Sequence, residues 1–146
     1  MKRAEKPSTP PRAATPKPAA PSKRLAWRWP VGGRVSSTFE PSDPLRKGIK
    51  IAGREGSAVS AAEGGKVVYS GSGLIGYGRL IIIKHNDKYL SAYGHNRDLL
   101  VNEGDQVTKG QKIAAMGRST DGKPLLHFEI RRNGKPVDPL RLLPRR

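Results

Sequence analysis

The sequence predicts an all-β fold, an antiparallel β-sandwich or partly closed barrel, and three observations lead to this prediction. From Trp27 onward, apolar and polar residues alternate with a period of two over short runs. Glycine-containing turns interrupt these runs at close intervals. No segment of helical length keeps a period of 3.6 residues. Many short strands at this spacing are typical of antiparallel sandwiches and barrels.

Nine strands are expected, each a short period-two run that a turn brings to an end. The first four are residues 33–39, 48–52, 58–61 and 66–70, with turns at 63–65 and 71–73. The other five are residues 79–84, 89–93, 112–116, 126–131 and 135–137, with turns at 86–87, 109–110 and 132–134.

The fifth and sixth strands are predicted to form a hairpin, because apolar and β-branched runs flank the dipeptide Asn86-Asp87. A two-residue turn there pairs His85 with Lys88 and leaves His95 opposite Gly78. Ten residues then separate His85 from His95, roughly 30 Å along a strand. We therefore expect no metal site built from the three histidines of the chain.

The three histidines receive different interpretations. His85 is expected to be a solvated residue at a strand end. For His95 and His127 two interpretations stay open: hydrogen-bonded residues that line a cleft, or residues with an active role.

The composition fits one domain and a basic tail. The chain has 146 residues, with 28 Lys and Arg against 12 Asp and Glu, a formal net charge of +16. Such a charge favours polyanionic partners, which include nucleic acid, anionic lipid headgroups and acidic cell-wall polymers. The absence of cysteine excludes disulfides, thiolate metal sites and a lipid-accepting cysteine within these 146 residues.

Residues 1–26 are predicted to be a disordered linker and residues 27–146 the folded domain. The linker is rich in Pro, Ala and Lys and has too few apolar side chains to offset the entropy of ordering. No 18-residue apolar run or signal-peptide pattern follows Met1. We expect the chain to be the C-terminal part of a longer architecture.

Several motifs occur in an order and spacing typical of one family. Residues 46–50 read Arg-Lys-Gly-Ile-Lys and residues 125–129 read Leu-Leu-His-Phe-Glu. Further markers are Trp29-Pro30-Val31, Gly76-Tyr77-Gly78, the pair of Tyr93 and His95, and segments 80–87 and 139–144. From Trp29 to its end the chain resembles the lysostaphin-like (LytM-type) peptidases, and within them the NlpD-type murein hydrolase activators. The resemblance implies the duplicated hybrid motif fold of these peptidases.

The zinc site of that family is degenerate in this chain. The family carries His-x-Gly-x-Asp where Arg46 and Lys50 stand, and His-x-His-Phe-Glu where Leu125 and His127 stand. A catalytic zinc needs about three protein ligands, and cations at two of these positions repel it. His95 matches the family's Tyr-x-His motif. We therefore predict no metal, no cofactor and no catalytic residue.

The resemblance implies a noncatalytic activator of a peptidoglycan N-acetylmuramoyl-L-alanine amidase that aids septal splitting and daughter-cell separation. The amidase and peptidoglycan are the expected partners. The expected partner-binding cleft contains Arg46, Lys50, His95 and His127, with the two cations four residues apart on one strand face. Drift of those cations after loss of the metal is the competing interpretation.

Two alternatives remain. One is a peptidoglycan-binding or polyanion-binding module without an amidase partner, and the other is an atypical zinc endopeptidase. Specific nucleic-acid binding is not expected, because no helix-turn-helix, zinc finger or aromatic platform accompanies the charge. The resemblance also implies a periplasmic or outer-membrane location, with a membrane anchor only if a preceding segment supplies it.

Overall fold

The computed structural model describes residues 25–145, so the linker prediction for residues 1–24 lies outside the described residues. The described part contains ten strands, one short 3-10 helix and no α-helix. The strands are β1 (Val35–Ser37), β2 (Ile49–Ala52), β3 (Ala58–Ser60), β4 (Gly65–Gly71), β5 (Arg79–Lys84), β6 (Tyr89–Leu99), β7 (Gln106–Val107), β8 (Lys112–Met116), β9 (Leu125–Arg132) and β10 (Lys135–Val137), and the 3-10 helix is Pro139–Arg141.

The ten strands form one antiparallel sheet, which confirms the all-β prediction. The order β1-β2-β9-β6-β5-β4-β7 runs through it, while β10 pairs with β9 and β8 joins β3 to β6. Every strand pair is antiparallel. The path from β1 to β7 does not close on itself, so the sheet is not a closed barrel. Within residues 25–145, the structure has no helix that could span a membrane.

The period-two pattern determines which side chains enter the core. In β9, Leu126, Phe128 and Ile130 are fully buried and belong to the main apolar cluster, while the alternate residues face the other side of the sheet. Ile49 and Ile51 of β2 join the same cluster. The opposite face of β2 and β9, which points away from the core, carries the polar residues of the candidate site.

Strand β6 positions the site because it changes partner along its length. Its first part, from Tyr89 to Gly94, pairs with β9, and its last part pairs with β8 from Asn96 onward. Between the two parts lies His95, whose φ of 64° is in the left-handed region. The predicted sixth strand, residues 89–93, covers only the first part of β6, because the partner change at His95 depends on strand pairing.

The predicted hairpin exists, but its register differs from the prediction by one residue. Lys84 pairs with Leu90, and the N–H of His85 donates to the carbonyl of Tyr89. Lys88 therefore belongs to the turn instead of pairing with His85. The cause is the Asn86 side chain, whose Oδ1 accepts from the N–H groups of Lys88 and Tyr89 and extends the turn to three residues.

The prediction that His85 is solvated is wrong. Its Nδ1 lies 2.7 Å from the carbonyl oxygen of Gly64, and its Nε2 lies 2.7 Å from Ser91 Oγ. The indole of Trp27 packs edge-on against the ring at 5.0 Å between centroids. His85 thus joins the start of the domain to the hairpin.

The first described residues already contact the domain. Leu25 packs against the core, the N–H of Ala26 donates to Glu63 Oε2 at 2.8 Å, and Trp27 is buried. Leu25 and Ala26 thus contact the domain, although the division into linker and domain stays a prediction.

Candidate partner-binding cleft

A cleft of about 810 Å³ opens on the polar face of β2, β9 and β6. Lys50 of β2 pairs with His127 of β9, and His127 pairs in turn with Gly94 of β6, so these residues form one row across the floor. Three segments rise around this floor, the loop before β2, the loop between β4 and β5, and the loop between β8 and β9. The cleft therefore has a floor of regular sheet and walls of loop.

His95 lies at the edge of the floor, where β6 leaves β9. Its N–H donates to the carbonyl of Tyr77 and its carbonyl accepts from the N–H of Gly117, which holds the left-handed backbone in place. The His95 ring lies 6.2 Å from the His127 ring between centroids. Burial lowers the pKa of His95, and the charges of His127 and Lys50 lower it further, against the opposing effect of Asp121.

His127 is part of a buried hydrogen-bonded group. Its Nε2 lies 2.7 Å from Glu129 Oε2, and the other carboxylate oxygen of Glu129 accepts from Arg131. Burial alone would raise the pKa of Glu129, but the hydrogen bond from His127 and the neighbouring positive charges lower it to about 2. Glu129 is 1% exposed. This group fixes the orientation of the His127 ring in the cleft.

Lys50 is only half-buried and projects into the cleft from β2. Its Nζ donates to the carbonyl of Leu45 at 3.2 Å, which leaves two of its three ammonium hydrogens for other acceptors. A carboxylate that enters the cleft would meet this ammonium beside the two imidazoles of His95 and His127.

Arg46 does not share a strand face with Lys50, and on this point the prediction is wrong. Strand β2 begins at Ile49, so Arg46 lies in the preceding loop. That loop turns the guanidinium toward Thr38, the residue after β1, where Nε donates to the Thr38 carbonyl and Nη2 to Thr38 Oγ1. Arg46 is not among the residues that line the cleft, and Lys47 is. The role of Arg46 as a contact for a partner stays a prediction.

The residues present do not fit the catalytic zinc that the resemblance implies. Arg46 is bonded to Thr38, Lys50 carries an ammonium, and Leu125 offers only a buried aliphatic side chain. Residues 25–145 contain no group of three or more His, Cys, Asp or Glu side chains arranged to hold a metal ion. Five residues stand at the site positions of the family: Arg46, Lys50, His95, Leu125 and His127. Of these, His127 has a ligand atom at a position where the family has a zinc ligand.

The structure adds residues to the cleft that the sequence motifs did not assign. Tyr77 packs on the His127 ring with 5.6 Å between centroids, and the loops contribute Leu45, Ile75 and Lys123. Tyr77 belongs to the Gly-Tyr-Gly motif, which the sequence analysis used as a marker of the family without giving Tyr77 a role in the site. The loop residues carry no signal in the sequence, because their position depends on how the loops fold over the sheet.

Comparison with known proteins agrees with this geometry. Residues 44–139 match the family described as Peptidase family M23. The chain is 59% identical over 133 residues to a "Lipoprotein NlpD/LppB homolog" of Pseudomonas aeruginosa, which covers 91% of this chain and 44% of the relative. It is 57% identical over 120 residues to the "Murein hydrolase activator NlpD" of Escherichia coli, which covers 82% of this chain and 32% of that relative. The chain thus spans less than half the length of these two relatives.

The solved structure of Helicobacter pylori Csd3 has the same fold. It superimposes with a TM-score of 0.74 at 31% identity, over 84% of this chain and 34% of Csd3. Residues 44–139, which match family M23, contain the cleft floor from Lys50 to Glu129. Because the family match covers more than half of the chain and the fold is shared with Csd3, the chain belongs to peptidase family M23 of the LytM type.

Proposed function

We propose that this chain is a noncatalytic activator of a peptidoglycan N-acetylmuramoyl-L-alanine amidase, and that it promotes septal wall splitting and daughter-cell separation. One observation carries the proposal: the cleft of a family M23 domain is kept open while two of its metal-ligand positions hold Arg46 and Lys50 and one of its acid/base histidine positions holds Leu125. The relative from Escherichia coli is named a murein hydrolase activator, which supports the same conclusion.

Activation requires only that the chain bind one state of the amidase better than another. If a segment of the amidase blocks its own active site, a cleft that captures this segment shifts the population toward the open state. Lys50, His95 and His127 are the proposed contacts on the cleft floor. Arg46 is the fourth proposed contact, and its two bonds to Thr38 also hold the loop that forms one wall.

The proposed place of action is the cell envelope, in the periplasm or at the outer membrane. The relative from Pseudomonas aeruginosa is named a lipoprotein, and one from Haemophilus influenzae is named an outer membrane antigenic lipoprotein. Peptidoglycan, the substrate of the amidase, is the proposed second partner.

The decisive experiment measures dye release from labelled peptidoglycan sacculi with the chain alone, the purified amidase alone, and both together. Release with both that greatly exceeds the sum of the two separate values is the expected result. Sedimentation with sacculi but no stimulation would instead support a peptidoglycan-binding or polyanion-binding module. Release by the chain alone, together with about one zinc per chain after dialysis, would support a zinc endopeptidase.

Charge reversal tests the floor of the cleft. Lys50→Glu is expected to weaken amidase binding by roughly thirtyfold or more, because reversing a charge desolvated at a contact costs on the order of 2–5 kcal/mol. The double variant Arg46→Glu, Lys50→Glu should bind the amidase no better than Lys50→Glu alone. Lys112→Glu is the matched control, since Lys112 is exposed on β8 and outside the cleft lining. Equal half-maximal activation by Lys50→Glu and Lys112→Glu would show that the partner docks elsewhere.

A further inference from the structure

The end of the sheet that holds the β5–β6 and β9–β10 turns carries two pairs of like charges. Lys66 of β4 pairs directly with Lys84 of β5, and Arg132 of β9 pairs directly with Lys135 of β10. Like charges directly opposite each other on neighbouring strands destabilise a sheet. Lysine on an edge strand commonly prevents edge-to-edge aggregation, which explains Lys135 on β10. That explanation does not extend to Lys84, because β5 lies between β4 and β6.

A hydrogen bond brings the two turns together. The N–H of Asn133 in the β9–β10 turn donates to the carbonyl of Lys88 in the β5–β6 turn at 2.7 Å. Lys88 is exposed, as are the four paired cations, and among the described residues none of the five forms an ion pair. We call these five residues the basic end: Lys66, Lys84, Lys88, Arg132 and Lys135.

The basic end presents charge on both faces of the sheet. Lys84 pairs with Leu90, and Arg132 pairs with Tyr89, the residue before Leu90. Neighbouring residues of a strand point to opposite faces, so the two like-charged pairs lie on opposite faces. A groove on one face reaches only one of the pairs, whereas a flat anionic surface against the end of the sheet meets both.

Acidic residues around the basic end leave it positive. Glu63 forms an ion pair with Lys109, and the carboxylate of Asp105 accepts from the backbone N–H of Asn102. Asp87, in the β5–β6 turn, offsets one of the five cations.

The chain enters the domain beside this same end. Trp27 packs edge-on against His85 and Tyr89, which flank the β5–β6 turn. Seven of the 28 basic residues, and one acidic residue, precede Leu25 in the sequence. The charge of the preceding segment is therefore attached next to the basic end.

We propose that the basic end docks on the anionic surface of a lipid bilayer, with the end of the sheet against the lipid phosphates. Each Lys or Arg close to such a surface strengthens binding roughly fivefold. Docking leaves the cleft accessible, because the cleft lining includes none of the five cations. The inference goes beyond amidase activation, and the choice of a bilayer as the partner rests on the proposed envelope location.

Sedimentation of the full chain with lipid vesicles tests this docking. The chain is expected to bind vesicles in which one third of the phosphatidylcholine is replaced by phosphatidylglycerol, and to dissociate as salt screens the charges. Vesicles of phosphatidylcholine alone should bind far less. The double variants Lys66→Gln, Lys84→Gln and Arg132→Gln, Lys135→Gln should each weaken binding to the anionic vesicles roughly 25-fold.

The matched control is the double variant Arg54→Gln, Arg97→Gln, which removes the same charge at the opposite end of the sheet. Arg97 is exposed near the far end of β6, and Arg54 is exposed just after the end of β2 that lies away from the hairpin turns. This variant is expected to weaken vesicle binding less than about threefold. Melting temperatures check the fold, and Lys66→Gln, Lys84→Gln should be at least as stable as wild type because a repulsion is removed.

A second experiment reports which end meets the lipid. The chain has no cysteine, so Asp87→Cys introduces a single thiol at the basic end for an environment-sensitive fluorophore. Glu55→Cys is the matched control, since it also replaces an exposed acidic residue and lies at the opposite end. Anionic vesicles should shift the emission of the Asp87→Cys label to the blue and leave that of the Glu55→Cys label unchanged.

Three outcomes would overturn the docking. The first is wild-type chain that does not bind the anionic vesicles. The second is equal weakening in the basic-end and control variants, which would show attraction to net charge alone. The third is unchanged vesicle binding by the basic-end variants with weakened sedimentation on sacculi, which would assign these cations to a wall polymer. The activator function is tested separately, because dye release with the amidase needs no lipid.

Discussion

At the scale of single residues, the hydrogen bond between His85 and Gly64 determines the direction of the neighbouring hydrogen bonds. The carbonyl of Gly64 can only accept, so the hydrogen of the neutral ring lies on Nδ1 and Nε2 accepts from Ser91. The single hydroxyl hydrogen of Ser91 is thereby used, and the Tyr93 hydroxyl 2.7 Å away must donate to Ser91 Oγ. Tyr93 Oη in turn accepts from the N–H of Ala62. Protonation of His85 would reverse this chain and leave the Tyr93 hydrogen without an acceptor.

We predict that acid destabilises the fold partly through His85. Burial lowers its pKa below 6.5, against the opposing effects of the Gly64 hydrogen bond and the Glu63 charge. Because the folded state prefers the neutral ring, this contribution is complete above the unfolded pKa and is lost as pH falls through the folded pKa. The slope is at most about 1.4 kcal/mol per pH unit for one proton.

Urea unfolding between about pH 8 and 5 tests this prediction, because the unfolded pKa of histidine lies in that window. His85→Gln should be less stable than wild type at pH 8 but lose less stability as pH falls. His95, whose pKa is also lowered, still contributes in the variant. Parallel pH profiles for the two proteins would contradict the assignment to His85.

At the scale of elements, the floor of the cleft depends on close pairing between the start of β2 and β9. A Cβ added at Gly48 would lie 2.2 Å from the carbonyl oxygen of Phe128 and 2.7 Å from Glu129 Cγ. The first of these is backbone of the neighbouring strand, which cannot move without shifting the register of Lys50 against His127. Gly48 therefore sets how the two strands that carry the floor approach each other.

We predict that Gly48→Ala destabilises the domain by on the order of 2–4 kcal/mol, because overpacking against backbone forces the strands apart. Gly32→Ala is the matched control, since a Cβ at Gly32 meets nothing within 4 Å. Thermal unfolding followed by circular dichroism measures both variants. Similar melting temperatures for Gly48→Ala and Gly32→Ala would mean that β2 shifts to accommodate the methyl group without a loss of folding free energy.

At the scale of the whole molecule, Trp27 joins the start of the domain to the far hairpin. It is buried, and its ring packs edge-on against His85 and against Tyr89 at 5.0 and 5.8 Å between centroids. Leu25 packs on the same core. The folded unit therefore needs these residues, while the composition of residues 1–24 offers it few apolar side chains.

We predict that deleting residues 1–24 leaves the melting temperature within a degree or two, whereas Trp27→Ala costs about 3–5 kcal/mol through the cavity it creates. The deletion removes seven of the 28 basic residues and should weaken salt-sensitive binding to anionic wall polymers. Calorimetric melting temperatures of the deleted chain and of Trp27→Ala measure the two effects on stability. A large loss of stability on deletion would place part of residues 1–24 in the folded unit.

The sequence by itself determined the features that depend on local pattern and on residue chemistry. The predicted strands 79–84, 112–116 and 135–137 agree with β5, β8 and β10, because alternation along a strand is a local property. The misfit with zinc also follows from residue type, since Arg46, Lys50 and Leu125 carry no suitable donor in any conformation.

Only the tertiary structure decided which side chains meet. Arg46 turns to Thr38 instead of the cleft, His85 is covered by Trp27, and Leu45 and Ile75 border the same floor. Each of these outcomes depends on strand pairing or loop folding. Segments that are distant in the sequence therefore determine which side chains come into contact. Alternation predicts the face on which a residue lies, but the partner that covers that face comes from elsewhere in the chain.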